Sequence, residues 1–92
     1  MAAIVIVTLQ IMPQSPEINL DELREQATRE VIAFGGEVGK HEYEPIAFGL
    51  KAVKLFFLMP ESIGSTEKLE QTIAKLPGVE SVNTIDVRRT IG

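Results

Sequence analysis

The chain has 92 residues, of which 45% are hydrophobic and 24% are charged, with no cysteine and one histidine. A chain of this length buries one small core, and its composition excludes disulfides, iron–sulfur clusters, thiol nucleophiles and multi-histidine zinc sites. The net charge of −4 disfavours a nucleic-acid-binding protein, since such proteins usually carry a basic surface. We predict a single domain over residues 1–92 that meets a basic or apolar protein surface.

The hydropathy of the chain favours neither a membrane protein nor a secreted one. No apolar run reaches the roughly 18 residues of a membrane-spanning helix. Residues 2–9 are apolar, but they lack the basic start and the small-residue cleavage site of a signal peptide. We predict a cytoplasmic protein that contacts neither a membrane nor nucleic acid directly.

The first element is predicted to be a strand over residues 2–12. Its side chains alternate between two faces and many are β-branched, a pattern typical of strands. Pro13 and Pro16 follow and end it. One face of the strand carries Val5, Val7, Leu9 and Ile11, and the other carries Ile4, Ile6, Thr8, Gln10 and Met12.

The next two elements are predicted to be a helix and a polar strand. Asn19 is a favourable helix N-cap, and Glu22 three residues later would complete a capping box. Apolar residues then recur at spacings of three and four until Gly35-Gly36, where the helix is expected to end. Residues 37–44 form a weak, polar strand that suits a sheet edge. The apolar stripe of the helix consists of Leu20, Leu23, Ala27, Val31 and Phe34.

The second half of the chain predicts a strand, a helix and a final strand. Residues 50–59 form the most apolar strand, which Pro60 ends. Ser65 or Thr66 caps the second helix, whose buried stripe is Leu69, Thr72, Ile73 and Leu76. Residues 79–89 form the last strand, followed by a short tail, and its core candidates are Val82, Ile85 and Val87.

The resulting order, β-α-β-β-α-β, predicts a ferredoxin-like α+β fold. Right-handed crossovers place both helices on one face of a four-stranded antiparallel sheet. The other face would then expose four apolar side chains on the two central strands: Ile4, Ile6, Phe56 and Leu58. A monomer rarely leaves such a patch in water, so we expect a partner there, weak self-association, or a covering segment.

A stiff elbow is predicted between the second and third strands. Pro45 fixes its own φ and pushes Glu44 toward extended geometry, and Gly49 frees the backbone immediately after Phe48. Two interpretations of the aromatic ring remain open. Phe48 either folds back to fill the core, as most phenylalanines do, or projects from the loop into a pocket of a partner.

The sequence contains no pattern that predicts catalysis. It has no P-loop, dinucleotide glycine pattern or nucleophile elbow, and its first loop lacks the arginine-bearing, glycine-rich segment of acylphosphatases, enzymes that share this fold. Glu42 and Glu44 are interpreted as a solvated strand face, and Asp86 with Arg88 as a surface pair. Arg88 and Arg89 could bind an anion or simply face solvent. We predict no metal and no cofactor.

Three segments resemble the beta subunit family of translation elongation factor 1, in its short archaeal form. They are residues 44–51, Glu-Pro-Ile-Ala-Phe-Gly-Leu-Lys, residues 84–89, Thr-Ile-Asp-Val-Arg-Arg, and residues 12–17, Met-Pro-Gln-Ser-Pro-Glu. The resemblance covers essentially the whole chain in order and length.

This resemblance implies a guanine nucleotide exchange domain over residues 1–92. Its partner would be elongation factor 1 alpha in the GDP-bound or nucleotide-free form, and it would act by binding that GTPase rather than as an enzyme. In eukaryotic relatives the elbow phenylalanine, matched here by Phe48, enters a pocket of the GTPase, and a C-terminal lysine disturbs the magnesium and phosphate site. After Asp86-Val87 this sequence has Arg88-Arg89-Thr90-Ile91-Gly92 and no lysine, so either an arginine takes that role or the nucleotide site is disturbed through other contacts. The partner-binding residues implied are Pro45, Ile46, Phe48, Gly49, Lys51, Asp86, Arg88 and Arg89.

The residues alone leave a second function open. A ferredoxin-like module could dimerise through its open sheet face and sense a small ligand, without any exchange activity.

Overall fold

A computed structural model describes residues 3–90 and confirms the predicted element order. Ala2, the predicted start of the first strand, and the tail residues Ile91 and Gly92 lie outside the described residues. The elements are β1 (Ile4–Pro13), α1 (Leu20–Phe34), β2 (Glu37–Pro45), β3 (Lys51–Pro60), a 3-10 turn (Glu61–Ile63), α2 (Glu67–Ala74) and β4 (Val79–Thr90). Thr90, which we predicted to begin the tail, is the last residue of β4.

The four strands form one sheet in the order β2-β3-β1-β4, and neighbouring strands are antiparallel. The polar strand β2 lies at an edge, as predicted. Ile11 pairs with Val53 and Ile4 with Pro60, so β1 and β3 run in register along nearly their full length. Ile4 also pairs with Thr90, so the ends of β3 and β4 lie level with each other on either side of β1.

Helix α1 has the N-cap and the end that its sequence predicts, Asn19 and Gly35. The hydrogen bonds of Asn19 and Glu22 do not include the reciprocal bond of the predicted capping box, from the Asn19 N–H to the Glu22 side chain. The Asn19 side-chain oxygen accepts hydrogen bonds from the backbone N–H groups of Asp21 and Glu22, at 3.0 and 3.2 Å. These bonds satisfy two donors that have no partner inside the helix. At the other end Gly35 adopts φ 110° in the left-handed region, and its N–H bonds back to the helix.

Both residues predicted to cap the shorter helix α2, Ser65 and Thr66, contribute to its N-terminus. The Ser65 hydroxyl accepts a hydrogen bond from the Glu67 N–H at 3.0 Å. Thr66 occupies the N-cap position, and its hydroxyl donates to the Glu70 carboxylate at 3.2 Å. The predicted stripe is wrong at Thr72, which is exposed and donates to the Lys68 carbonyl at 2.9 Å. A helix of two turns buries a narrow stripe, here Leu69 and Ile73.

The core lies between the helices and one face of the sheet, as the alternation predicted. Val7, Leu9, Val53 and Leu55 are completely buried there, and Val5 and Phe57 nearly so. Leu23, Ala27 and Val31 of α1 face them and are buried to the same degree, while Leu20 and Phe34 pack at the margin. Both helices contribute to this one core, which puts them on the same side of the sheet.

The prediction that Ile85 and Val87 belong to the core is wrong. They are 46% and 57% exposed. Thr84 pairs with Leu9 and Asp86 with Thr8, so Ile85 bulges out of the ladder without a partner. Val87 lies opposite buried Val7, but α2 begins at the level of Thr84, and this edge strand continues past the helix.

Candidate functional site: the turn between β2 and β3

Phe48 is displayed on the outside of the molecule, at the turn that joins β2 to β3. Its residue surface is 96% exposed, the largest value among the exposed apolar residues. Pro45 and Lys51 pair across the hairpin just below the turn. Of the two interpretations of Phe48, the structure supports the projecting ring and excludes the core plug.

The backbone of the turn is held in an uncommon conformation. Phe48 has φ 54° and Gly49 has φ 79°, so both central residues of the turn Ala47–Leu50 are left-handed. The Leu50 N–H donates to the Ala47 carbonyl at 2.8 Å, and the Ile46 N–H donates to the Leu50 carbonyl at 2.8 Å. These features match a type I′ turn, whose twist suits a hairpin and whose first central position favours asparagine.

Phenylalanine is an unusual residue for that position. Among residues 3–90, Phe48 is the one non-glycine residue with a positive φ. Left-handed backbone costs an ordinary side chain roughly 1–2 kcal/mol. The rest of the fold must offset this cost, because the exposed Phe48 ring gains no stabilisation from burial in the core. Strain of this kind concentrates at sites that bind or act.

The lower part of the hairpin is tied to α1 through Tyr43. Its hydroxyl donates to the Asp21 carboxylate and accepts a hydrogen bond from the Arg24 Nε at 3.1 Å. Partial burial, followed by the bond to Asp21, raises the pKa of Tyr43 above its ordinary value. The bond to Tyr43 likewise raises the pKa of Arg24. The phenol therefore stays protonated and able to donate at neutral pH.

The sequence pattern does not predict this contact, because Tyr43 lies in a polar strand that indicates a solvated sheet edge. The available signals were that Tyr43 is the sole tyrosine and that period two places it opposite the face of Glu42 and Glu44. Its pairing with Val53, which faces the core, puts the ring on the helix side of the sheet.

Charged side chains flank the turn unequally. Lys54 forms an ion pair with Glu44 on the open face, and this hydrogen bond raises the pKa of Lys54. Lys51 is exposed and makes no ion pair within the described residues. The hairpin therefore presents an apolar ring, a half-exposed Ile46 and one free positive charge close together.

The other predicted site residues lie near the end of β4. Arg88 Nε donates to the Asp86 carboxylate at 2.9 Å, and Arg89 Nε lies 3.0 Å from a Glu61 carboxylate oxygen in an ion pair. All three predicted residues are exposed. The sequence did not predict the contact of Arg89 with Glu61, because Glu61 lies in the 3-10 turn after β3, 28 residues before Arg89 in the chain.

The structure does not bring the two sets of predicted residues together. The turn lies where β3 begins, whereas Arg88 pairs with Ile6, which also pairs with Leu58 near the end of β3. The molecule measures 45 Å along its longest axis and 21 Å and 17 Å along the others. The predicted site therefore consists of two exposed groups at opposite ends of the sheet.

The open face between these groups is less apolar than its sequence pattern predicted. Of the four expected side chains, Leu58 is 39% exposed, and Ile4, Ile6 and Phe56 are half-buried. The Lys40 ammonium lies over the Phe56 ring at 4.5 Å from its centre. Charged side chains thus cover part of the apolar surface.

Within residues 3–90, no three histidine or carboxylate side chains are arranged to hold a metal ion. Neither helix of this region has the length and hydropathy needed to cross a membrane. A cleft of about 270 Å³ lies beside the turn, between Gly49 and the loop after β1.

Three comparisons place the chain among known proteins. The profile of the family described as EF-1 guanine nucleotide exchange domain matches residues 6–90. Elongation factor 1-beta of Methanobrevibacter smithii is 44% identical over 85 residues, which cover 92% of this chain and 94% of the relative. The protein of the same name from Hyperthermus butylicus is 42% identical over 90 residues, covering 97% and 96%.

Solved structures agree with the fold. The C-terminal domain of the MgtC protein from Mycobacterium tuberculosis has a TM-score of 0.60 at 15% identity, covering 97% of this chain and 87% of that one. The ACT domain from GTP pyrophosphokinase of Chlorobium tepidum has a TM-score of 0.58 at 16% identity, covering 87% and 96%. At these identities the likeness concerns the fold alone. The sequence relatives go further, and the chain belongs to the EF-1 guanine nucleotide exchange domain family.

Proposed function

We propose that this chain promotes the exchange of GDP for GTP on elongation factor 1 alpha during protein synthesis, in the cytoplasm. The family supports the activity, and the observation that carries the mechanism is the strained, fully displayed ring of Phe48. The chain would act by binding the GTPase, so it needs no catalytic residue and no cofactor.

Thermodynamic linkage states what such a factor must do. If the factor weakens GDP binding by some ratio, GDP weakens the binding of the factor by the same ratio. The factor therefore has to bind the nucleotide-free GTPase better than the GDP-bound form. A rigid protein surface can make this distinction when its contacts fit one conformation of the partner.

The turn between β2 and β3 would supply the main anchor of this surface. One aromatic side chain in a partner pocket can contribute on the order of 2 kcal/mol or more. Pro45 and Gly49 set the shape of the turn, Ile46 extends the apolar contact, and Lys51 would meet a carboxylate of the partner.

The end of β4 would supply a second contact. Asp86, Arg88 and Arg89 are exposed there, far from the turn, so the two contacts would span the long axis of the domain. Eukaryotic relatives use a C-terminal lysine near the nucleotide, and this chain offers two arginines instead. A guanidinium stays charged at any physiological pH and binds phosphate or carboxylate in a forked geometry.

Release of a fluorescent GDP analogue from purified elongation factor 1 alpha tests the proposal. We expect the chain to accelerate release in proportion to its concentration, until the GTPase is saturated. The heat-denatured chain at equal concentration is the control. Release that is unchanged at saturating concentrations of the folded chain would eliminate the exchange function, and it would favour the ligand-sensing alternative.

A further inference from the structure

We propose that the open face of the sheet binds a second copy of this chain, around a two-fold axis that runs along the strands between β3 and β1. The strand order is β2-β3-β1-β4, so this axis passes through the middle of the face. The occupant follows from a pattern of charges that appears only when the four strands are aligned. Self-association goes beyond the proposed function and can be measured without the GTPase.

Cross-strand pairing divides the open face into rows of four side chains, one from each strand. Residues that pair directly point to the same side of the sheet. In one row Ile6 pairs with both Leu58 and Arg88, and Leu58 pairs with Glu37. The next row is built in the same way around Thr8. In strand order the two rows are Glu37, Leu58, Ile6, Arg88 and Lys40, Phe56, Thr8, Asp86.

The charges at the ends of these two rows alternate in sign. Glu37 and Arg88 end one row, Lys40 and Asp86 end the other, and all four residues are exposed. Three strand spacings of about 4.8 Å place the two ends of a row roughly 14 Å apart. Among the described residues, the two charges of a row form no ion pair with each other. Each edge of the face therefore carries one acidic and one basic side chain beside an apolar centre.

A two-fold axis along the strands lays each row over the reversed copy of itself. A two-fold interface joins the same patch of both copies, so it must be self-complementary. Here Glu37 would face Arg88 of the second copy, and Lys40 would face Asp86, each contact occurring twice. Two aligned sheets cross at about 30°, and the long lysine and arginine side chains can bridge the resulting offset at the outer strands.

The same axis matches the centre of the face. Strand β3 of one copy would lie over β1 of the other, because the axis passes between them. Leu58 would therefore cover Ile6 of the second copy, and Phe56 would cover Thr8. Thr8 is only 5% exposed, so it offers its partner a nearly closed surface. Burial of these side chains supplies the attraction, and the outer charges set the orientation.

A two-fold axis across the strands would also match the charges, but it mismatches the neighbouring rows. Charge matching under that axis exchanges the two charged rows, so the rows beyond them are exchanged as well. The apolar row of Ile4 would then lie over the polar row of Gln10, which includes Lys54. Covering polar groups with apolar ones costs free energy, because they lose hydrogen bonds to water. The axis along the strands keeps like rows together.

The size of the face indicates a weak dimer. From Ile4 to Gln10 the rows extend over about 20 Å, and the four strands span about 14 Å. A standard stable interface buries roughly 800 Å² per partner, which this face does not reach. We therefore expect a reversible monomer–dimer equilibrium at high protein concentration.

Sedimentation equilibrium with charge reversals tests the arrangement. Glu37→Lys would bring like positive charges together twice in each dimer, and Arg88→Glu would bring like negative charges together. Each variant alone should raise the dimer dissociation constant about tenfold or more. An equimolar mixture of the two variants should recover dimers with nearly the wild-type dissociation constant, because both contacts then join opposite charges.

Net charge and folding are controlled separately. Arg29→Glu, on α1, changes the net charge as Arg88→Glu does and should leave the dissociation constant unchanged. General repulsion between acidic chains predicts tighter association for Glu37→Lys, which is the reverse of our expectation. Thermal unfolding of each variant confirms that it is folded, since all these positions are exposed.

Two results would overturn the proposal. One is a wild-type chain that stays monomeric at every concentration. The other is a mixture of Glu37→Lys with Lys40→Glu that recovers dimers while the mixture with Arg88→Glu does not, since this would place the axis across the strands. These measurements contain no GTPase, so failure of the proposed exchange activity would leave their outcome unchanged.

Discussion

Phe48 and Arg88 lie at opposite ends of one sheet, although both belong to the segments that identify the family. Phe48 lies in the turn just before β3 begins at Lys51. Arg88 lies level with Leu58, near the other end of β3, because both residues pair with Ile6. From Lys51 to Leu58, at about 3.4 Å per residue, β3 spans about 24 Å. A partner that contacts both residues has to reach along the whole domain, so the two contacts can be tested separately.

The first prediction concerns the ring of Phe48. We expect Phe48→Ala to lower the GDP release rate about 30-fold, which corresponds to the loss of about 2 kcal/mol of partner binding. The unfolding free energy should change by less than about 0.5 kcal/mol, because the ring is outside the core and alanine keeps the same backbone strain.

The matched control for this prediction is Ile32→Ala, which removes a 60% exposed apolar side chain from α1. It should leave GDP release unchanged. A large drop in thermal stability for Phe48→Ala would mean that the ring packs against the domain in solution.

The second prediction concerns the strain of the turn. We expect Phe48→Asn to raise the unfolding free energy by about 0.5 kcal/mol, since asparagine suits a left-handed type I′ position. The same variant should lose GDP release as Phe48→Ala does. Denaturant unfolding and the release assay measured on one preparation would show stability and activity moving in opposite directions.

The third prediction uses a pair of glycines. Gly49→Ala and Gly64→Ala each place a side chain at positive φ, 79° and 81°, and neither new Cβ meets a steric clash. Gly49→Ala should destabilise the chain by about 1 kcal/mol through backbone strain, and Gly64→Ala by more, because the ψ of −113° at Gly64 lies outside the left-handed helical region. Only Gly49→Ala should lower GDP release, because Gly64 lies in the loop before α2. Equal activity of the two variants would contradict a role for the turn geometry.

The fourth prediction concerns the two arginines of β4. We expect the double substitution of Arg88 and Arg89 by alanine to lower GDP release about three- to tenfold and to weaken its dependence on ionic strength. The unfolding free energy should change little, because exposed ion pairs such as Arg89 with Glu61 contribute about 0–1 kcal/mol.

Two controls separate charge from contact at this end. Arg29→Ala removes an exposed positive charge from α1 and should have no effect on release. Glu61→Gln breaks the ion pair and leaves Arg89 charged, so release should be preserved. If the double variant releases GDP as fast as the wild type does, these arginines have no part in exchange.

The fifth prediction is a pH dependence that originates at Tyr43. Its pKa is raised in the folded chain, so between pH 10 and the folded pKa the unfolded state is ionised while the folded state keeps its proton. Stability from this group is fully present below pH 10 and is lost as the pH rises through the folded pKa. Tyr43→Phe should remove this part of the alkaline decline. If the wild type and Tyr43→Phe have identical curves of unfolding free energy against pH, the pKa of Tyr43 is not raised by folding.

The open face of the sheet remains a proposed site of weak self-association. The Lys40 ammonium lies over the Phe56 ring, and Leu58 is the most exposed of the four apolar side chains. Leu58→Lys therefore gives a direct comparison with the wild type in sedimentation velocity over a range of concentrations. A sedimentation coefficient independent of concentration in the wild type would remove this proposal.

Local patterns in the sequence were sufficient for the element order. Asn19 and Gly35 mark the ends of α1 because capping depends on a few adjacent residues, and alternation assigned Val7, Leu9 and Leu55 to the core because one face of a strand is buried. The segment from Glu44 to Lys51 identified the family for the same reason, since a motif is a local object.

Only the tertiary structure decided what depends on contacts between distant segments. The bulge at Ile85 depends on the register between β1 and β4, and the exposure of Val87 depends on where α2 covers the sheet. The projection of Phe48 depends on the backbone of its turn, and the bond from Tyr43 to Asp21 joins residues 22 positions apart in the chain. Sequence periodicity gives the face of each residue within its own element, whereas the packing of elements against one another determines what that face meets.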